Sequence, residues 1–173
     1  MVYYRSLLQQ EAGWLEEPAF QALEKPEERI RYCILKKLDQ LALHRSALEG
    51  VFRKALDPKS PLSPFSTETR EIREDNIALF TRVLEESRHS FHDDFKPVLP
   101  RVIWLYQMGI ILAWFYDRSP GQTRSRFLLE ISLLLFLRAL ETLGLPLMGG
   151  FRRSVLTLIQ TFDQIMEEPA NAP

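Results

Sequence analysis

The sequence predicts an all-α domain of about seven helices that dimerises through a four-helix bundle. Three observations predict it. Apolar residues recur at the spacing of a helix face throughout the 173 residues, and no stretch alternates as a half-buried strand would. Glycine is scarce, at seven residues, and no internal repeat is present. Two adjacent helices between Arg101 and Leu143 carry more apolar surface than one core of this size consumes.

In chain order, Met1 to about Trp14 reads as a first helix, with Val2, Tyr3, Leu7 and Leu8 apolar. A connector holds Glu17-Pro18 and Lys25-Pro26. Pro26-Glu27-Glu28 then supplies the proline and carboxylates of a first helical turn. The helix so begun runs to about Leu43 and buries Ile30, Ile34, Leu38 and Leu41. A bend at His44-Arg45-Ser46 leads into a short helix ending near Leu56, because Asp57-Pro58 cannot continue it. Residues 57–66, DPKSPLSPFS, have prolines at 58, 61 and 64 and predict a stiff surface loop; their spacing would also suit a polyproline ligand. Ser66 or Thr67 can cap the next helix, which extends to about Ser90 with Ile72, Leu79, Phe80 and Val83 as its stripe and Asn76 inside it.

The segment Val102–Tyr116, VIWLYQMGIILAWFY, has Gln107 as its only strongly polar side chain, so every side must be covered. After Asp117-Arg118, Ser119 predicts an N-cap, Pro120 a first helical position and Gln122 the return bond of a capping box; that helix runs to about Leu143. It has two apolar faces. Leu129, Leu133, Phe136, Leu140 and Leu143 form one, and Phe127, Leu128, Ile131, Leu134 and Leu135 the other, bounded by Arg124 and Arg138. Arg126, Glu130 and Glu141 occupy the narrow sector beside Leu137. A monomer has one core to fill, so the second face predicts a partner. On the preceding helix Gly109 and Ala113, beside Leu105, permit close approach of another helix. The predicted homodimer interface is therefore Leu105, Gly109, Ala113, Phe127, Ile131, Leu134, Leu135 and Arg138. The alternative is a single monomeric core, which would require short helices to wrap two long apolar ones entirely. A last helix from about Met148 to Met166 follows Gly144 and Pro146, and residues 167–173 form a loose tail.

Composition narrows the function. Residues 1–173 form one domain, able to bury roughly 70% of its unfolded surface. A net charge of −1 offers no general attraction to nucleic acid or acidic membranes. The single cysteine, Cys33, excludes an intrachain disulfide and reads as a buried inert thiol, consistent with a cytoplasmic protein. No signal core is present. The 15 residues Val102–Tyr116 would reach about 22 Å, short of a hydrocarbon layer of about 30 Å, so no membrane partner is expected.

Catalytic motifs are missing: there is no G-x-S-x-G, phosphate loop or H-E-x-x-H. His89, His92, Asp93 and Asp94 could attract a metal, but a solvated helix end explains them without one; no metal, cofactor or catalytic residue is expected. A buried pocket is the better candidate. Trp104, Met108, Ile111 and Phe115 share one face with Gln107 at its edge, and Asn76 and Phe80 could stand opposite. Amides within apolar stripes can orient an apolar small molecule, although such aromatics can equally fill a core.

Leu56–Leu84 and Trp104–Phe127, together with the helix order from Met1 to about Met166, resemble the C-terminal ligand-binding and dimerisation domain of TetR-family transcriptional regulators. The resemblance implies an all-α dimer with a pocket among its middle helices. Family members begin with a helix-turn-helix domain that this chain lacks, and Tyr3–Leu8 resembles the linking helix after it. The expected function is therefore a ligand-sensing regulatory domain that contacts DNA only if a reader lies outside this chain. In such a regulator, residues 1–14 would transmit the ligand signal. The alternatives are a stand-alone carrier of a lipid or other apolar molecule on the same fold, and a small helical enzyme at His89, His92 and Asp93.

Overall fold

In the computed structural model, which describes residue 11 and residues 13–88 and 91–167, every regular element is helical. The helices are α1 (Pro18–Gln21), α2 (Pro26–Leu43), α3 (Arg45–Ala55), α4 (Arg70–Glu85), α5 (Leu99–Tyr116), α6 (Thr123–Leu143) and α7 (Gly149–Glu167). Residues 11, 13 and 14 are helical; the rest of the helix predicted over residues 1–14, like residues 168–173 of the predicted tail, lies outside the described residues.

Helix α5 is the centre. Ile103, Gln107, Ile110 and Trp114 fall on one side of it and are buried, and α4 packs along it more extensively than any other pair of helices. Helices α2 and α6 complete the core with Ile30, Cys33, Ile34 and Leu38 from one and Leu129, Leu133, Leu137 and Leu140 from the other. Each set repeats at three- and four-residue intervals, which keeps it on one face of its helix. Burial pushes the Cys33 thiol up to about 12, so it stays a neutral packing group.

The narrow charged sector of α6 meets α2: Arg31 donates to Glu130 at 2.9 Å, and Arg126 pairs with Asp39. Tyr106 of α5 stacks flat on Phe136 of α6, with ring centroids 5.6 Å apart and planes inclined by 6°. The Tyr106 and Ser132 hydroxyls are hydrogen-bonded at 2.7 Å. These contacts set the rotation of α6 and turn Phe127, Ile131, Leu134 and Leu135 outward.

The start of α6 differs from the expected capping box. Ser119 and Pro120 open a short 3₁₀ turn, in which Gly121 has φ +62°; Gln122 follows in the left-handed region, at φ +52°, and cannot return a bond as expected. Asp117 takes over. Its carboxylate accepts from the Ser119 hydroxyl at 2.6 Å, the Ser119 amide at 2.9 Å and the Ser125 amide at 2.8 Å, while Ser119 Oγ accepts from the Arg124 amide at 3.2 Å. A charged acceptor with two oxygens holds several exposed amides at once, which a hydroxyl and a distant amide side chain cannot. These hydrogen bonds, led by that of the Ser119 hydroxyl, hold the Asp117 carboxyl well below the usual carboxylate range.

Candidate ligand-binding site

A cavity of about 340 Å³ opens between α2, α3, α4, α5 and the proline-rich loop that follows α3. Besides Leu41 and Lys37 of α2, three helices wall it. From α5 come Trp104, Met108 and Ile111, one turn apart on the side adjoining the core face. From α4 come Ile72, Arg73 and Asn76. Helix α3 presents Leu48, Val51, Phe52 and Ala55 at the spacing i, i+3, i+4, i+7, a stripe that the rings of Trp114 and Phe115 of α5 extend. Phe52 stacks on Phe115 with centroids 4.8 Å apart.

The fourth wall is the loop. Pro61, Leu62 and Pro64 face the cavity, and Phe65 sets its edge against Trp104 at 5.6 Å. Arg73 fastens the loop: its buried guanidinium donates to the carbonyls of Pro64 at 2.8 Å and Ser66 at 3.3 Å, and Thr69 Oγ1 donates to Ser63 at 2.6 Å. Backbone carbonyls that a loop would leave unpaired against an apolar wall are thus satisfied. At another point of the lining the wall turns polar, where the Lys37 ammonium of α2 pairs with the carboxylate of Glu11. Glu11 is only 3% exposed.

Of the residues expected to bind a ligand, Asn76, Trp104, Met108 and Ile111 line the cavity. Phe80 and Gln107 are buried in the core outside the lining, and Phe115 stands behind Phe52. Asn76 donates to the Ile72 carbonyl at 3.0 Å, so one amide hydrogen is spent within its own helix. Gln107 Nε2 and Trp114 Nε1 are buried without a hydrogen-bond partner among the described residues. Sequence reasoning missed the α3 stripe, although Leu48, Val51, Phe52 and Ala55 spell it out, and the loop wall, which the apolar residues between the prolines could have signalled. The Glu11–Lys37 pair has no local signature, since 26 residues separate its members.

A second apolar surface lies on the outside. On α6, Phe127 is 65% and Leu135 64% exposed, with Leu128, Ile131 and Leu134 also open to solvent. On α5, Gly109 is exposed, Leu105 and Ala113 are half-buried, and Leu112 and Tyr116 extend the open stripe. Arg138 is exposed beside them and pairs with Glu141 at 3.2 Å. Helix α7 contributes a stripe that the sequence reading did not assign to any surface: Phe151, Leu158, Phe162 and Ile165, with Leu158 70% exposed. It is tied to α5 by Arg101–Asp163 at 3.0 Å and to the end of α6 by Arg152, which donates to the Leu143 carbonyl at 3.0 Å.

Around His92 the structure shows an ordinary loop. His92 Nδ1 accepts from the Asp94 amide at 3.3 Å, Asp93 pairs with Lys96 at 2.7 Å, and His89 lies outside the described residues. Among the described residues no group of three or more His, Cys, Asp or Glu is placed to hold a metal ion, and no helix is long and apolar enough to cross a membrane.

No curated protein matches the sequence. A family model does: that of the tetracyclin repressor-like C-terminal domain, over residues 29–151, a span that runs from within α2 to the start of α7 and includes every lining residue of the cavity except Glu11. Domains of this family are regulatory modules that dimerise and bind small molecules, and the all-helical architecture agrees with theirs. The chain belongs to the tetracyclin repressor-like C-terminal domain family.

Proposed function

We propose that this domain senses an apolar small molecule in the cavity between α2, α3, α4 and α5, and that it works as the dimeric regulatory part of a TetR-type transcriptional regulator in the cytoplasm. The observation that carries the reading is the cavity. It is walled mainly by apolar side chains, with Glu11, Lys37, Glu68, Thr69, Arg73 and Asn76 among them, and a loop held by Arg73 closes it on one side. A void of about 340 Å³ is well above the volume that a packed interior leaves by accident. Its size falls within the range of small-molecule sites.

The dimer of the proposal uses the outer faces of α5 and α6, with the α7 stripe adjoining them. Together these leave Leu112, Phe127, Leu135, Leu158 and Phe162 open to water, hydrophobic area that a second copy would bury. DNA reading, in this proposal, requires a helix-turn-helix outside residues 1–173.

Native mass spectrometry of the protein purified from its own host tests both parts. A dimer carrying a small apolar molecule is the expected result. A clean, unliganded monomer would overturn the reading. A ligand-bearing dimer encoded with no helix-turn-helix upstream would instead favour a carrier on the same fold.

A further inference from the structure

The chemistry of the cavity's polar point specifies the ligand more closely than "apolar". This inference rests on the small-molecule reading of the cavity. Lys37 and Glu11 meet inside the lining, with side chains 14% and 4% exposed. An ammonium has three donors, and among the described residues Glu11 is the hydrogen-bonding partner of Lys37. The pair therefore presents to the cavity both spare N–H donors and spare carboxylate lone pairs. The other buried charge of the lining, Arg73, is engaged by the Pro64 and Ser66 carbonyls and lies 3.8 Å from Glu74.

Two ligand types fit this badly. A hydrocarbon would cover the pair without hydrogen-bonding it, and buried polar groups left in that state are costly. A permanently charged ligand would add one uncompensated charge to a site whose charges already cancel, Glu11 and the exposed Glu68 against Lys37 and Arg73, and would have to break the buried pair to find a partner there. A neutral head that accepts from Lys37 and donates to Glu11 does neither. At about 30 Å³ for each non-hydrogen atom, the cavity of about 340 Å³ holds roughly eleven. We infer that the ligand is a neutral amphiphile of about that size, with its apolar body against Trp104, Met108 and Phe52 and a hydroxyl-type head bridging Glu11 and Lys37.

Four probes of equal length test this on the full chain: decan-1-ol, 1-chlorodecane, decanoate at pH 7 and decyltrimethylammonium, each titrated by calorimetry. Decan-1-ol should bind about tenfold more tightly than 1-chlorodecane, the scale of a hydrogen bond to a charged group, and at least as far ahead of both ions. In the double variant Glu11→Met, Lys37→Met, which has no hydrogen-bonding group at either position, the advantage of the alcohol over the chloride should vanish while the chloride still binds. Equal binding of alcohol and chloride by the native protein, or tighter binding of either ion, overturns the inference and leaves the cavity reading standing. Failure of all four to bind overturns both. The native comparison decides the matter even if the double variant does not fold.

Discussion

The molecule has two unfilled apolar surfaces, and they differ in enclosure and in polarity. The cavity is walled on several sides, closed by a fastened loop, and carries a buried ion pair among its apolar residues. The outer face of α5, α6 and α7 is open, and its charges, such as Arg138 paired with Glu141, stand at its margin in water. A concave surface of apolar side chains with a few polar groups among them, here Glu11, Lys37, Arg73 and Asn76, has the anatomy of a small-molecule site. An open stripe with charges kept to the rim has the anatomy of a protein–protein contact. The same helix, α5, contributes to both surfaces, with Trp104, Met108 and Ile111 at the cavity and Gly109, Leu112 and Tyr116 on the outside.

The comparison can be broken most sharply from the outside. Replacing Ile131 and Leu134 together by aspartate should weaken association more than about 1,000-fold, because carboxylates would have to be buried unpaired, while the lining of the cavity is left unaltered. Light scattering should show a monomer; a dimer of unchanged size would mean that the contact lies elsewhere, and Leu158→Asp would then test the α7 stripe. Within the interior, Phe80→Ala should cost about 3–5 kcal/mol in denaturant unfolding, since Phe80 is fully buried in packed surroundings. Met108→Ala, at the edge of an existing void, should cost less than half of that; equal costs would argue that the cavity wall is as tightly packed as the core.

A cavity-filling change separates binding from stability. Ala55→Phe should lower the affinity for decan-1-ol about tenfold and leave the unfolding temperature within a few degrees of native, as space is filled without removing a contact. Retention of full affinity would place the ligand elsewhere. The smallest effect concerns the hairpin shared by the two surfaces. The Asp117 carboxyl is held below its unfolded value, so the stability it contributes is fully present above the ordinary carboxylate range and is lost as pH falls through the depressed folded value. Asp117→Asn should therefore lower the melting temperature by a few degrees at neutral pH, and the deficit should shrink below about pH 4. A deficit that persists unchanged in acid would assign the effect to packing rather than charge.

Much of this arrangement could be read from periodicity, because a helix converts residue spacing directly into direction. Pro26, the bend at His44, the stop at Asp57-Pro58 and the two faces of α6 all follow from local chemistry and appear where expected. What periodicity cannot convey is which face of a wholly apolar helix meets which neighbour. On α5 it grouped Gln107 and Phe115 with the pocket face, whereas a rotation set by Tyr106 on Phe136 carries Gln107 into the core and leaves Phe115 behind Phe52. The apolar residues between the prolines hinted at the cavity's loop wall, whereas its ion pair joins residues 26 positions apart and had no local trace. At the start of α6 the correct motif was present in the chain, but a carboxylate two residues earlier outcompeted the serine for the free amides.

The double duty of α5 also has a thermodynamic consequence. Trp104, Met108 and Ile111 look into the cavity while Gly109, Leu112 and Tyr116 look outward from the same rigid rod. Any displacement of α5 by a molecule in the cavity is felt on the outer face, and linkage makes that influence mutual: by whatever factor ligand strengthens or weakens pairing of two chains, pairing alters affinity for the ligand. The apparent dissociation constant of the cavity would then drift with the concentration of the protein itself, and a regulator built on this rod would respond to its own abundance as well as to its signal.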